Sequence, residues 1–333
     1  MYNEIQSLVL NLNIEIIIKE IIKIKQKNPS TFLGKGNLLR LKDIIIKYKI
    51  DLLIINNNLS PSQQRNLEKL LNIKVTDRSG IIIEIFSKRA STKESRLQVE
   101  LAELIYRKSR LVRAWTHLER QRGGTTFIGG PGELQIELDK RLIQSKIVRI
   151  KKRLVKVKAR RKIQRKSRLN SNFQTFALVG YTNAGKTKLF NKLTKKKQSS
   201  QNKLFETLDT KISKFYLNDH QVGIIDTVGF INNIPTQLIE SFHATLEEIN
   251  SANFIINVVD VNDINANDKI LTTKRILKET GVSEDKISKM INVYNKIDLS
   301  NSNYKQTQNR IFISALTGEG IENLKDSIER KLT

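Results

Sequence analysis

The stretch FQTFALVGYTNAGKT, residues 173–187, decides the fold. Its first half is a short apolar run of strand length. Its second half, GYTNAGKT at 180–187, has the pattern G-x-x-x-x-G-K-T and leads into a helical segment through Leu193. A strand, a Gly-rich turn and a helix N-terminus in that order let successive backbone amides converge on phosphate, with the helix dipole behind them. Gly180, Tyr181, Thr182, Asn183, Ala184 and Gly185 would form the cradle. Lys186 would reach the outer phosphates, and Thr187 would offer its hydroxyl to magnesium.

Forty residues beyond Lys186, QVGIIDTVG (221–229) is an apolar strand ending in Asp226, Thr227, Val228 and Gly229. This D-x-x-G pattern sets a carboxylate where it can hold magnesium through water, and a glycine amide where it can sense a terminal phosphate. Sixty-nine residues beyond Asp226, MINVYNKID (290–298) ends another strand with Asn295, Lys296, Ile297 and Asp298, matching N-K-x-D. A carboxylate there accepts hydrogen bonds from the ring N–H and amino group of guanine, whereas adenine would leave it unpaired at a cost of roughly 1–3 kcal/mol or more. RIFISAL (310–316) adds a final strand and Ser314, Ala315 and Leu316, whose backbone would meet the guanine oxygen. Four such elements in this order define a P-loop nucleotide switch for GTP and GDP, on a doubly wound, mostly parallel α/β sheet.

A switch threonine should complete the magnesium shell, and LFETLDTKI (204–212) offers Thr207 and Thr210, which spacing alone does not separate. The position after Gly229, where many such switches carry a water-orienting glutamine, holds Phe230. A phenyl ring cannot orient water, so no catalytic base is assigned. Intrinsic hydrolysis is expected to be slow until a partner, a cation or another residue completes the site, a contribution worth roughly 10³- to 10⁵-fold in partner-assisted systems. His117, His220 and His243 show no metal-ligand spacing.

The net charge of +26 is unevenly spread. Residues 94–170 carry 22 basic and 7 acidic groups, whereas residues 171–333 carry 21 and 18. A bias toward Ile, Lys and Asn codons would act along the whole chain and deplete arginine, yet 13 of the 20 arginines fall in that middle segment. Dense arginine suits phosphate and stacked bases, so the segment is read as a nucleic-acid surface.

Residues 1–93 are expected to form a small α/β domain: a strand at Ile14–Ile18, a helix at Leu38–Tyr48, a strand in DLLII (51–55) and a helix at Ser62–Leu71. Ser60 and Pro61 mark that last helix start, and Gly34 and Gly36 in FLGKG serve a turn. From residue 94 to 170, Leu97, Leu101, Leu104, Leu111, Trp115 and Leu118 follow a 4,3 spacing, as do Ile143, Ile147, Ile150, Leu154 and Val157. Two helices folded back as an antiparallel hairpin are predicted. Their connection, RQRGGTTFIGGPG (120–132), holds five of the 15 glycines and forms a basic tip with Arg120, Arg122 and Phe127. Fifteen of the 31 residues from Lys140 to Asn170 are basic and none is acidic, so that helix repels itself unless an anion compensates. Arg153, Arg160 and Arg161 are candidate RNA contacts. The G domain occupies residues 171–333.

The chain has no cysteine, no signal-peptide pattern and no run approaching the ~18 apolar residues of a spanning helix, so a soluble, cytoplasmic monomer is expected.

FETLD (205–209), DTVGF (226–230) and FHATLEEI (242–249) together resemble the HflX family of ribosome-associated GTPases. FLGKG (32–36), LSPSQQRNLE (59–68), DRSGIIIEIF (77–86), LQVELA (97–102) and GGPGELQIELDKR (129–141) are similar to that family's N-terminal portion. The resemblance implies a magnesium-dependent GTP hydrolase that binds the large ribosomal subunit and its RNA and splits or rescues stalled ribosomes. It also implies that Thr207 is the switch magnesium ligand, with Phe205, Glu206, Leu208 and Asp209 beside the phosphates. Phe230 is a family trait, and Asn183 resembles the asparagine of potassium-assisted relatives. The termini look trimmed, and the tip GGTTFIGGPGEL departs from the more polar sequence of relatives. A GTP-regulated RNA-binding protein without ribosome-stimulated turnover is the alternative.

Overall fold

The computed structural model describes residues 2–111, 131–169, 174–195, 205, 208, 210–217, 220–231, 246–300, 304 and 310–332. They fall into two compact units, one drawn mainly from residues up to 155 and the other mainly from residue 156 onward.

The first unit is a β-α-β crossover with added helices. Strand β1 (Leu52–Ile55) pairs in parallel with β2 (Lys74–Asp77), in the register Leu52 to Lys74 through Ile55 to Asp77. The connecting helix α3 (Pro61–Leu71) starts where predicted: Ser60 accepts from the Gln63 amide, and Gln63 answers by accepting from the Ser60 amide. Helix α2 (Lys35–Tyr48) lies ahead of it, beginning at Gly34. Leu41 and Ile45 of α2, Leu67 and Leu71 of α3 and Val75 of β2 share one apolar core. Helix α1 (Tyr2–Leu10) precedes these elements and α4 (Arg78–Arg89) follows. The strand expected at Ile14–Ile18 is corrected: the segment lies outside both ladders, although its residues alternate between half-buried and exposed. β-branched alternation favours an extended chain, but a strand also needs a hydrogen-bonding neighbour.

Helices α5 (Lys93–Leu111) and α6 (Pro131–Leu169) carry the heptad pattern. Leu97, Leu101 and Leu104 pack with Ile147, Ile150 and Leu154, and Lys108 donates to Gln144 Oε1 at 2.6 Å, so the two run antiparallel as expected. Trp115, Leu118, Arg120, Arg122, Phe127 and most of the tip lie outside the described residues. Lys146, Arg149, Lys151, Lys152, Arg153, Lys156 and Arg160 of α6 are exposed. Arg161 lies on α6, its side chain outside the described residues.

Asp77 ends β2 at 1% exposure and gathers four donors: Arg110 (2.6 Å), Tyr106 Oη (2.8 Å), the Gly80 amide (2.9 Å) and the Leu59 amide (3.2 Å). Burial, then the Asp77 charge, raises the Tyr106 hydroxyl well above its ordinary pKa, against the opposing pull of Arg110. Arg110 also stacks 3.8 Å from the Tyr106 ring centroid. Beside it, buried Arg78 bridges Asn56 and Glu4, both at 2.9 Å.

The second unit is a six-stranded sheet of order β4-β5-β3-β6-β7-β8. Its strands are β3 (Thr175–Val179), β4 (Lys211–Leu217), β5 (His220–Asp226), β6 (Phe254–Asp260), β7 (Ile291–Asn295) and β8 (Arg310–Phe312). Only the β4–β5 pair is antiparallel. Every residue of β3 is buried, as befits a central parallel strand covered on both faces. Helices α7 (Lys186–Thr194), α8 (Ala266–Glu279), α9 (Glu284–Ser288) and α10 (Ile321–Glu329) accompany it. The strand order reverses at β3, so the carboxyl ends of the parallel strands form the crevice where such sheets bind ligands. Among the described residues no helix is long and apolar enough to cross a membrane.

Asp77→Ala would strand Arg110, Tyr106, the buried Leu59 amide and the half-buried Gly80 amide together. A loss of about 3–5 kcal/mol of first-unit stability is expected in denaturant titration, with Asp77→Asn losing less.

Candidate functional site

Five parallel strands deliver their carboxyl ends to one edge: Gly180 follows β3, Asp226 ends β5, Asp260 ends β6, Asn295 ends β7, and Ser314 stands two residues past β8. The sequence motifs account for four of these ends. Asp260 carries none of the named motifs, and only its place at the end of the apolar run FIINVVD could have signalled it.

The cradle is built as its residue types require. Gly185 caps α7 with φ 94°, and a Cβ there would sit 2.1 Å from Asn295 Nδ2. Lys186 is buried, its Nζ donating to the carbonyls of Gly180 (3.0 Å) and Tyr181 (2.8 Å). Burial pushes its ammonium down to about 8, partly offset by the Asp226 charge. Thr187 Oγ1 lies 3.0 Å from Asp226 Oδ2, so the hydroxyl and the carboxylate expected at magnesium are brought together. Asn183 is exposed in the left-handed region, φ 63°.

The segment after β5 docks on this loop. Phe230 donates its amide to Gly180 O at 3.0 Å, and its carbonyl accepts from the Thr182 amide at 2.9 Å. A Cβ on Gly229 would lie 2.7 Å from Thr182 Cα and 2.9 Å from Lys186 Nζ, so only glycine permits this approach. Val228 and Phe230 are buried, and Thr227 donates to Leu178 O. Of the preceding loop, Phe205 is buried with φ 55° and Leu208 is half-buried; Glu206, Thr207 and Asp209 lie outside the described residues.

The base-reading side is stapled by Asn295, at 1% exposure: Nδ2 donates to Ala184 O and Oδ1 accepts from the Ala315 amide, both at 2.8 Å. Asp298 opens toward solvent in the short turn Ile297–Leu299, and its Oδ1 accepts from Ser314 Oγ at 2.5 Å. Reading Ser314 as a backbone contact alone missed this side-chain role. Leu316 is exposed. Lys296, φ 71°, pairs with Asp260 Oδ2 at 2.6 Å. Nearby Asp263 would be raised by burial, but hydrogen bonds from Lys269 and the Asn265 amide, with the charges of Lys269 and Lys296, hold it below the usual carboxylate range.

A phosphate cradle with a buried lysine, joined through Asn295 to the loop after β8 and followed by N-K-x-D at the end of β7, defines the P-loop class of guanine-nucleotide-binding proteins. Comparison with known proteins agrees. The family described as GTP-binding GTPase N-terminal matches residues 1–87, GTP-binding GTPase Middle Region matches 89–168, and 50S ribosome-binding GTPase matches 175–296. The GTPase HflX of Magnetococcus marinus is 43% identical over 334 residues, covering 98% of this chain and 77% of the relative. That of Escherichia coli is 37% identical over 338 residues, covering 99% and 78%. A GTP-binding protein from Sulfolobus solfataricus solved with GDP matches with TM-score 0.51 and 25% identity, over 99% of this chain and 94% of that one. The chain belongs to the HflX family of GTPases, which are GTP hydrolases.

Gly185→Ala combines a disallowed left-handed alanine with a collision against the Asn295 staple, so it should cost the second unit about 1–3 kcal/mol or more and weaken nucleotide binding. Gly36→Ala, exposed in the first turn of α2 with open space around it, should instead stabilise by about 0.4–1 kcal/mol. Shifts of the denaturation midpoints in opposite directions check the pair.

Proposed function

We propose that this chain binds GTP and GDP with magnesium at the carboxyl edge of the large sheet, and that it associates with the large ribosomal subunit and its RNA through the basic helix α6, acting to split or rescue stalled ribosomes. The division into residues 1–93, 94–170 and 171–333 follows that division of labour. The observation that carries the nucleotide reading is the Asn295 amide, which locks the phosphate loop and the base-reading loop into one site.

The residues fit magnesium. Thr187 and Asp226 are hard oxygen donors 3.0 Å apart beside the phosphate cradle, and among the described residues no His, Cys, Asp or Glu cluster offers a competing cage. That suits a cation which keeps most of its shell as water and phosphate oxygen. Thr187 would ligate it directly, Asp226 through water, and Thr207 from the switch loop. When bound, magnesium neutralises charge developing on the phosphates. Asn183 is the residue that would hold a potassium ion.

Each protein group then has a stated task. Lys186, already desolvated, exchanges two carbonyl partners for phosphate oxygens, a stronger charge-assisted interaction. The amides from Tyr181 to Gly185 surround the phosphates. Gly229 leaves the close approach free, so a terminal phosphate would have to displace or reorder the Phe230 contact with the loop. Asp298, oriented by Ser314, accepts from the guanine edge; for the Ala315 amide to meet the guanine oxygen it would have to share or leave its bond to Asn295 Oδ1. Phe230 is buried and orients no water, so the hydrolytic step depends on a group from elsewhere.

Ribosome association is supported by the exposed cations of α6, and by the description of the matched family as a 50S ribosome-binding GTPase. A polyanion relieves the self-repulsion of such a helix and releases counterions.

Lys186→Ala should abolish tight nucleotide binding in titration calorimetry. Asp298→Asn should move preference from guanine to xanthine nucleotides, because the amide pairs with the extra carbonyl; unaltered GDP preference would overturn the base assignment. Reversing Arg153, Arg160 and Arg161 to glutamate should weaken co-sedimentation with large ribosomal subunits and flatten its salt dependence, while GDP affinity is retained. Normal co-sedimentation of the folded variant would refute the role of α6.

A further inference from the structure

We propose that Asp260 is a positioning residue for base recognition, acting through Lys296 to hold the guanine-reading loop in its reading conformation; the inference rests on the nucleotide-site reading above. β6 is the central strand whose carboxyl end none of the sequence motifs covers, yet the turn that leaves it clasps the loop after β7 at three points. The Val261 amide donates to Asn295 O at 3.0 Å. Asn262 Nδ2 donates to Lys296 O at 2.9 Å. Asp260 Oδ2 pairs with Lys296 Nζ at 2.6 Å, and its other oxygen accepts from the Asn262 amide at 3.1 Å, fixing the turn that presents Asn262. One carboxylate thus supports both the backbone and the side chain of Lys296.

The consequence for the base follows from the backbone of Lys296. Its φ of 71° is left-handed, a conformation that a lysine keeps only when its surroundings hold it. Lys296 is also the N-cap of the short turn Ile297–Leu299 that carries Asp298. If Lys296 relaxed to an ordinary right-handed or extended conformation, the turn would swing and Asp298 would leave Ser314. The clasp lies at the rim: the Asp260 and Lys296 side chains are 26% and 22% exposed, so removing the carboxylate opens no cavity in the core. Asp263, fixed by Lys269 and the Asn265 amide, adds a second negative charge facing the same lysine. Asp260 is accordingly a residue for affinity and base choice that touches neither phosphate nor metal donors.

The experiment is a double-mutant cycle on the full chain, read as the equilibrium dissociation constants of GDP and GTP with magnesium, alongside the unfolding midpoint without nucleotide. Asp260→Ala should weaken both nucleotides about tenfold, a coupling usual for contacting residues, and the loss should fall on KM rather than kcat. Asp260→Asn keeps an acceptor oxygen and should recover most of the affinity. In a Lys296→Ala background, Asp260→Ala should cost clearly less than in the wild type, because only the Asn262 route to the backbone of residue 296 is then left to lose. Wild-type affinity in Asp260→Ala, or strictly additive losses in the cycle, would overturn the proposal. Should Asp260→Ala not fold, Asp260→Glu carries the test: the carboxylate displaced by one methylene must weaken GDP binding severalfold at an unchanged midpoint, and wild-type binding sinks the idea. Asp298→Asn, assayed against xanthosine diphosphate, separates the two levels. If it keeps guanine preference, the nucleotide-site reading has failed; if it switches while Asp260→Ala is silent, only the present inference has failed.

Discussion

The side-chain amide of Asn295 is the interaction on which the second unit depends. It sits at the end of β7, almost wholly buried, and its two polar atoms reach in two directions: to the Ala184 carbonyl of the phosphate loop and to the Ala315 amide after β8. Its own carbonyl receives the Val261 amide from the turn after β6. Three loops from three strand ends are therefore fixed by one residue, and Gly185 must lack a side chain because that amide occupies the space. A buried amide with both ends satisfied specifies a single geometry, since a shift in any loop would leave a desolvated donor or acceptor at about 1–3 kcal/mol.

Much of this was legible because parallel strands announce themselves. β3, β5, β6 and β7 are apolar runs that end abruptly in polar residues, and for three of them the polar residues form a spaced motif that names its chemistry. Asp260 escaped because a lone aspartate at a strand end also suits a turn, and its partner lies 36 residues on, a distance no local pattern encodes. The Asp77 cluster was invisible for the same reason: its arginine is 33 residues away, on helix α5. Ser60 and Pro61 worked in the opposite sense, since a cap acts within one turn and can be read locally. The error at Ile14–Ile18 shows the limit of periodicity, which reports which side of an extended chain is buried but not whether a neighbouring strand exists to pair with it.

The binding elements and the hydrolytic element differ in completeness. Lys186, Asp298 and the Thr187–Asp226 pair stand along the edge proposed for the nucleotide, whereas Phe230, at the position where water would be oriented, is buried and its backbone is hydrogen-bonded to the phosphate loop. Residues 171–333 are close to charge balance, while the segment 94–170 before them holds most of the excess positive charge. That division suits a nucleotide site whose slow step is released when an RNA-rich partner engages the helices. The most direct measurement is steady-state GTP turnover by the purified chain across a range of large ribosomal subunit concentrations at fixed magnesium. The account predicts slow turnover alone and a saturable rise of several orders of magnitude, on the scale known for partner-completed sites, about 10³-fold or more. Turnover that stays flat while the subunits demonstrably bind would contradict it and favour a GTP-regulated RNA-binding protein.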